Sequence, residues 1–166
     1  MKKALGLCLL LLAAASGGAA DAPRNASPEL AAAVAGAHAI EAVWVEFFAA
    51  MQARDGEALL AVMSPETPIL RVGDDGTVRS STGEAFAAAL ADMSFEPRET
   101  IVGATSIEAD VALATVRMPY EFHRGDVYSH CGVNFFHLVR GAEGWRMVAI
   151  VYSVHEVCAA DGKSAQ

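Results

Sequence analysis

The run VYSHCGVNFFHLVR (Val127–Arg140), the turn Gly141-Ala142-Glu143-Gly144 and the run WRMVAIVYSVH (Trp145–His155) decide the fold. Both runs are rich in β-branched and aromatic residues, and they are too short-linked to be anything but a β-hairpin. The preceding run VALATVRMPYEF (Val111–Phe122) has the same character and reaches Val127 through Arg124-Gly125-Asp126. Three long strands with tight connections form an antiparallel meander. A further strand is expected over Thr100–Ile107, turned into Val111 by Glu108-Ala109-Asp110.

The first half of the chain reads differently. Ser27-Pro28-Glu29 has the chemistry of a helix start: a capping hydroxyl, a proline in the first turn, and an acid at the positive end of the helix dipole. The helix runs to about Ala53, with Leu30, Val34, Ala37, Ile40, Trp44, Phe47, Phe48 and Met51 on its apolar side. Arg54-Asp55-Gly56 breaks it, and Asp55 caps a short second helix through Met63. Pro68–Val72 and Thr77–Ser80 flank Gly73-Asp74-Asp75-Gly76 as a small hairpin. Ser81-Thr82-Gly83-Glu84 has capping-box spacing and opens a third helix to about Asp92. Ser94–Pro97 is expected to be a loop. Helices followed by a meander predict an α+β domain, a curved antiparallel sheet wrapped around N-terminal helices as a cone-shaped barrel. Such a sheet encloses a pocket, where small-molecule chemistry is housed.

Residues 1–20 read as a signal peptide. Lys2 and Lys3 precede an uncharged apolar run, and Ser16-Gly17-Gly18-Ala19-Ala20 supplies small residues for cleavage. The run falls short of the roughly 20 apolar residues that a membrane span needs. Residues 21–27 form a polar leader, 28–158 the domain, and 159–166 a loose tail. The chain carries 12 basic and 20 acidic residues, for a net charge of −8. With Lys2 and Lys3 removed the count is 10 against 20, and no Lys/Arg cluster remains. Nucleic acid is therefore not an expected partner, nor is a membrane after signal cleavage. Cys8 leaves with the signal peptide. Cys131 and Cys158 remain as an even pair in an exported, periplasmic or secreted, protein, and one disulfide is expected between them. No metal-ligand spacing occurs, so neither a metal nor another cofactor is expected.

His130–Arg140, Gly144-Trp145-Arg146-Met147 and Cys158, with Phe47-Phe48, Arg54-Asp55-Gly56 and Phe86 in support, resemble the nuclear transport factor 2-like superfamily. That superfamily includes ketosteroid isomerase, scytalone dehydratase and polyketide cyclases. The similarity is greatest to its small secreted members, some described as lumazine-binding. The resemblance implies a ligand cavity between helices and sheet, and dimerisation through the outer sheet face. This chain has Asn134 where relatives tend to have Asp.

Strand parity assigns faces. Phe136 points into the cavity, and His130 and Asn134 share its parity. Met118 and Tyr120 line it from the preceding strand, and Trp44 from the first helix. If Arg140 opposes Trp145 without slippage, Asn134 faces Val151 and His130 faces His155, pairing two imidazoles. His130 is the candidate acid/base, because imidazole titrates near neutrality, with Tyr120 or Asn134 orienting a substrate. No Asp or Glu falls on an inward position of the main strands. The other face carries Val133, Phe135, His137 and Val139, then Val148, Ile150, Tyr152 and Val154. A sheet apolar on both faces buries both, and a homodimer is expected. The leading expectation is an exported pocket protein binding a small apolar or aromatic ligand. The competing ones are an isomerase, dehydratase or cyclase acting through His130, and a structural dimer with a filled cavity.

Overall fold

The computed structural model describes residues 28–158; the signal peptide, the leader, the Ser27 cap and the tail expected from sequence lie outside the described residues. Helix α1 (Pro28–Ala53) buries Ile40, Val43, Trp44, Phe47, Ala50 and Met51 against the sheet. These positions recur every three or four residues, as one helical face requires. The contact starts later than the sequence pattern implies, and Val34 is exposed. By length and composition Ala32–Ala53 is apolar enough to span a bilayer, yet its apolar side from Ile40 onward belongs to the core. The helix ends where Arg54 takes a left-handed φ of 57°. Asp55 then caps α2 (Gly56–Val62), its carboxylate accepting from Ala58 N at 3.0 Å.

Strands β1 (Pro68–Val72) and β2 (Val78–Thr82) form the expected hairpin. Because β2 pairs as far as Thr82, helix α3 (Gly83–Ala91) starts one residue later than the capping-box spacing implies. Its cap is Thr82, whose hydroxyl accepts from Ala85 N at 3.2 Å, and not Ser81. Glycine is required at 83, where a Cβ would stand 2.3 Å from the Ser64 carbonyl oxygen.

The strand expected over Thr100–Ile107 is two. β3 (Pro97–Ile101) and β4 (Ser106–Ala109) pair with opposite halves of β5 (Leu113–Arg124), separated by a bend in which Gly103 has a φ of 96°. Pro97, expected in a loop, therefore sits in the sheet, and so do Arg98 and Glu99. β5 pairs with β6 (Val127–Gly141), and β6 with β7 (Gly144–Ser153). The sheet order is β2-β1-β7-β6-β5-β3, with β4 also on β5. β1 joins β7 in parallel, so the sheet is mixed, curved and not closed. The core lies between its concave face and the three helices, around Leu59, Leu90, Val116, Leu138 and Met147.

Arg140 opposes Trp145 as expected, but the register slips between His137 and Leu138. Val148 is the extra residue, a β-bulge that advances the rest of β7 by one position. Asn134 consequently faces Tyr152 and not Val151, and His155 bridges Cys131 and not His130. The expected histidine pair does not form. The same slip moves Ile150 and Tyr152 from the outer face, where sequence parity placed them, to the inner one. Beyond β7 the chain returns to Cys131, where Cys158 forms the expected disulfide with Cα atoms 6.2 Å apart. A bridge closing 27 residues of sequence adds roughly 3 kcal/mol by restricting the unfolded chain.

Candidate functional site

A cavity of about 230 Å³ opens between α1, α3 and the far half of the concave sheet face. Its apolar wall comes from Phe47 and Met51 of α1, Phe86 of α3, Ile69 of β1, Phe136 of β6 and Ile150 of β7. The rings pack on one another: Phe47 lies parallel to Phe86 with centroids 6.3 Å apart, and 5.6 Å from Phe136. Met93, Phe95 and Pro97 complete the rim. The loop carrying Met93 is held to the end of α1, because Arg54 Nη1 donates to Met93 O at 2.7 Å.

The polar groups cluster at one side of this wall. Glu99, Tyr120, His130, Asn134 and Tyr152 all line the cavity. The Asn134 amide donates to Glu99 Oε1, a bond that reaches from β6 over β5 to β3. Glu99 has no other side-chain hydrogen bond among the described residues. Burial of its carboxyl among aromatic rings pushes its pKa up to about 8, against which the Asn134 bond works. At neutral pH Glu99 is a carboxylic acid, able both to donate and to accept. Tyr120 donates its hydroxyl to Ser153 O at 2.8 Å. Its ring lies over Gly132, where an added Cβ would fall 1.9 Å from Ser153 O and 2.9 Å from Tyr120 Cε1. Only glycine permits that approach of β7, and it fixes the Tyr120 ring.

His130 stacks on Phe122 at 4.9 Å and meets the Tyr120 ring edge-on at 5.8 Å, with its Nδ1 3.1 Å from Ser129 Oγ. Burial first, then the positive charges of Arg71 and Arg124, bring its pKa down to about 4. The imidazole is therefore neutral at physiological pH, which counters its expected role as the titrating acid. The carboxyl of Glu99 is the group tuned toward neutrality.

Of the residues expected at the pocket, the fold brings Tyr120, His130, Asn134 and Phe136 together. Trp44 (5% exposed) and Met118 (0%) are buried in the core and do not border the cavity. Each sits nearer the deep end of its element, where helix and sheet are already in contact. His155 is turned away and bonds through Nδ1 to Asp74 in the β1–β2 turn. On α1, His38 is exposed beside Glu41. Among the described residues no three His, Cys, Asp or Glu side chains are grouped so as to hold a metal ion.

Residues 40–156 match the family model of the SnoaL-like domain. The chain belongs to the SnoaL-like family. Solved structures similar to this SnoaL-like domain agree in fold. An NTF2-like protein with a cystatin-like fold from Novosphingobium aromaticivorans is 16% identical, over 84% of this chain and 97% of its own, with a TM-score of 0.62. An NTF2-like protein of unknown function from Shewanella baltica is 18% identical, over 80% of this chain and all of its own (100%), with a TM-score of 0.60. A Streptomyces avermitilis protein provisionally named a dehydratase of the NTF2-like family is 13% identical, over 75% of this chain and 99% of its own, with a TM-score of 0.57. No curated protein gives a match.

Sequence reasoning missed Glu99, Tyr152 and the two arginines near His130. Within the SnoaL-like domain Glu99 was findable in principle: Pro97-Arg98-Glu99-Thr100-Ile101 alternates, but its proline and two charges resemble a loop.

Proposed function

We propose that this SnoaL-like domain is exported, with residues 1–20 removed, and binds a small, largely apolar ligand in the cavity. The ligand's rings pack against Phe47, Phe86 and Phe136, and a carbonyl or hydroxyl on it hydrogen-bonds to Glu99. The observation that carries this reading is the half-buried Glu99 carboxyl among the aromatic rings of the cavity. A carboxylic acid on an aromatic cavity wall, bonded among the described residues only to Asn134, turns its second oxygen toward the space a ligand would fill and offers it a hydrogen-bond partner. The Cys131–Cys158 bridge is consistent with an oxidising compartment. We propose also that two copies associate through the outer sheet face.

Native mass spectrometry of protein purified from its own source tests ligand binding. An adduct of a few hundred daltons, lost on Phe136→Trp substitution, is the expected result. Protein of bare polypeptide mass that also takes up no hydrophobic probe would overturn it.

The raised pKa of Glu99 favours a second reading, an isomerase, dehydratase or cyclase. A carboxyl tuned near the working pH is suited to shuttle a proton between two positions of a bound ketone or alcohol. Neutral Glu99 would donate, its anion would abstract, and Asn134 would steady whichever form is present. In that case Glu99→Gln should lower kcat by about 10²-fold or more with little change in ligand affinity. His130→Gln should leave kcat within a factor of a few.

A further inference from the structure

The cavity has a basic rim on an acidic protein. Arg124 borders the cavity at the end of β5, with its guanidinium over the Phe95 ring, 5.3 Å from the centroid. Arg71 lies on β1, where the parallel register places it beside Tyr152, just as Ile69 lies beside Ile150. Residues paired in this way project from the same face, and Ile69, Ile150 and Tyr152 all line the cavity. Arg71 therefore stands on the inner face, one step beyond Ile69 toward the open end, and its charge is felt at His130, Tyr120 and Tyr152.

Among the described residues neither arginine is within ion-pair distance of a carboxylate. The acids of the adjoining loops are engaged elsewhere. Asp126 pairs with Arg98 at 2.9 Å, Asp74 with His155, and Glu96 accepts from Gln52 at 2.6 Å. Glu99, the acid inside, is uncharged at neutral pH, and His130 is neutral as well. Arg124 at the rim and Arg71 beside the cavity on the inner sheet face thus stand unneutralised next to an apolar chamber, although the chain as a whole carries −8.

We infer that the ligand is an amphiphilic organic anion: an aromatic or alicyclic carboxylic acid whose rings enter the chamber and whose carboxylate remains at the rim between Arg71 and Arg124. Guanidinium groups recognise carboxylates through paired, charge-assisted hydrogen bonds. This inference rests on the ligand-binding reading above and adds the charge of the ligand and the direction in which it enters. The chamber exceeds the roughly 150 Å³ that takes up benzene in an engineered cavity, so a two-ring body is a fitting probe.

The test uses 2-naphthoate and its neutral near-isostere 2-naphthamide, titrated calorimetrically into the purified, disulfide-bonded domain at neutral pH. Wild type should bind the acid about tenfold more tightly than the amide, the scale of a charge-assisted contact. In Arg71→Gln/Arg124→Gln that preference should collapse to near unity while the amide still binds. Arg124→Gln alone, at an exposed position, should remove part of it and guards against misfolding of the double variant. Equal binding of both probes to wild type, or a preference that survives in the double variant, would overturn the anion assignment and leave the pocket reading standing. Failure of both probes to bind wild type at millimolar concentration would overturn both.

Discussion

Glu99 and His130 tie the stability of the fold to pH in opposite directions. Glu99 holds its proton more tightly in the folded chain, about 8 against 4.5 for the free side chain. Between those values the folded state binds more protons than the unfolded one, so stability falls as pH rises. His130 holds its proton less tightly, about 4 against 6.5. Between those values the unfolded state binds more, so stability rises with pH. The two effects oppose each other from about 4.5 to 6.5, and Glu99 alone acts from 6.5 to about 8. The melting temperature should therefore fall over that upper interval in the wild type and stay flat in Glu99→Gln. A slope retained in the variant would show that the proton is held elsewhere.

Among the elements, the start of α3 separates two residues that look interchangeable in sequence. Thr82→Ala should cost about 1 kcal/mol in urea unfolding, because it removes the acceptor for Ala85 N. Ser81→Ala should stay within about 0.5 kcal/mol, and equal costs would refute the cap. The helices and long strands were legible because caps, glycines and alternation mark them locally. What escaped reading was non-local. Nothing in Met147-Val148-Ala149-Ile150 announces a bulge, since all four residues are apolar and suit either face. Without the bulge, parity puts Tyr152 outside and pairs two histidines that never meet. The parallel docking of β1 on β7, which brings Arg71 beside Tyr152, is a tertiary event with no local signature. The part of the candidate site on β5 and β6, Arg124 apart, was thus readable, and the part supplied by β1, β3 and β7 was not.

The molecule as a whole presents a sheet face that its own helices do not cover. Phe135, Val139 and Val148 are each 38% exposed there, with Val133 beside them. A second copy would bury this patch. Sedimentation of the folded domain should give a dimer, and Phe135→Arg should give a monomer with its ligand pocket retained; a monomeric wild type would refute the association. Inner and outer surfaces are also not free to vary separately. Pairing Val148 in step with the rest of β7 would turn Ile150 and Tyr152 outward and their neighbours inward at once, trading binding residues against assembly residues, whereas deleting Val148 would leave Ala149 on His137 and Ile150 on Phe136 and keep both walls as they are. The kink at Val148 is therefore as much a determinant of specificity in this protein as any side chain, and flattening it with the chain length unchanged should alter what the protein binds and how it assembles together.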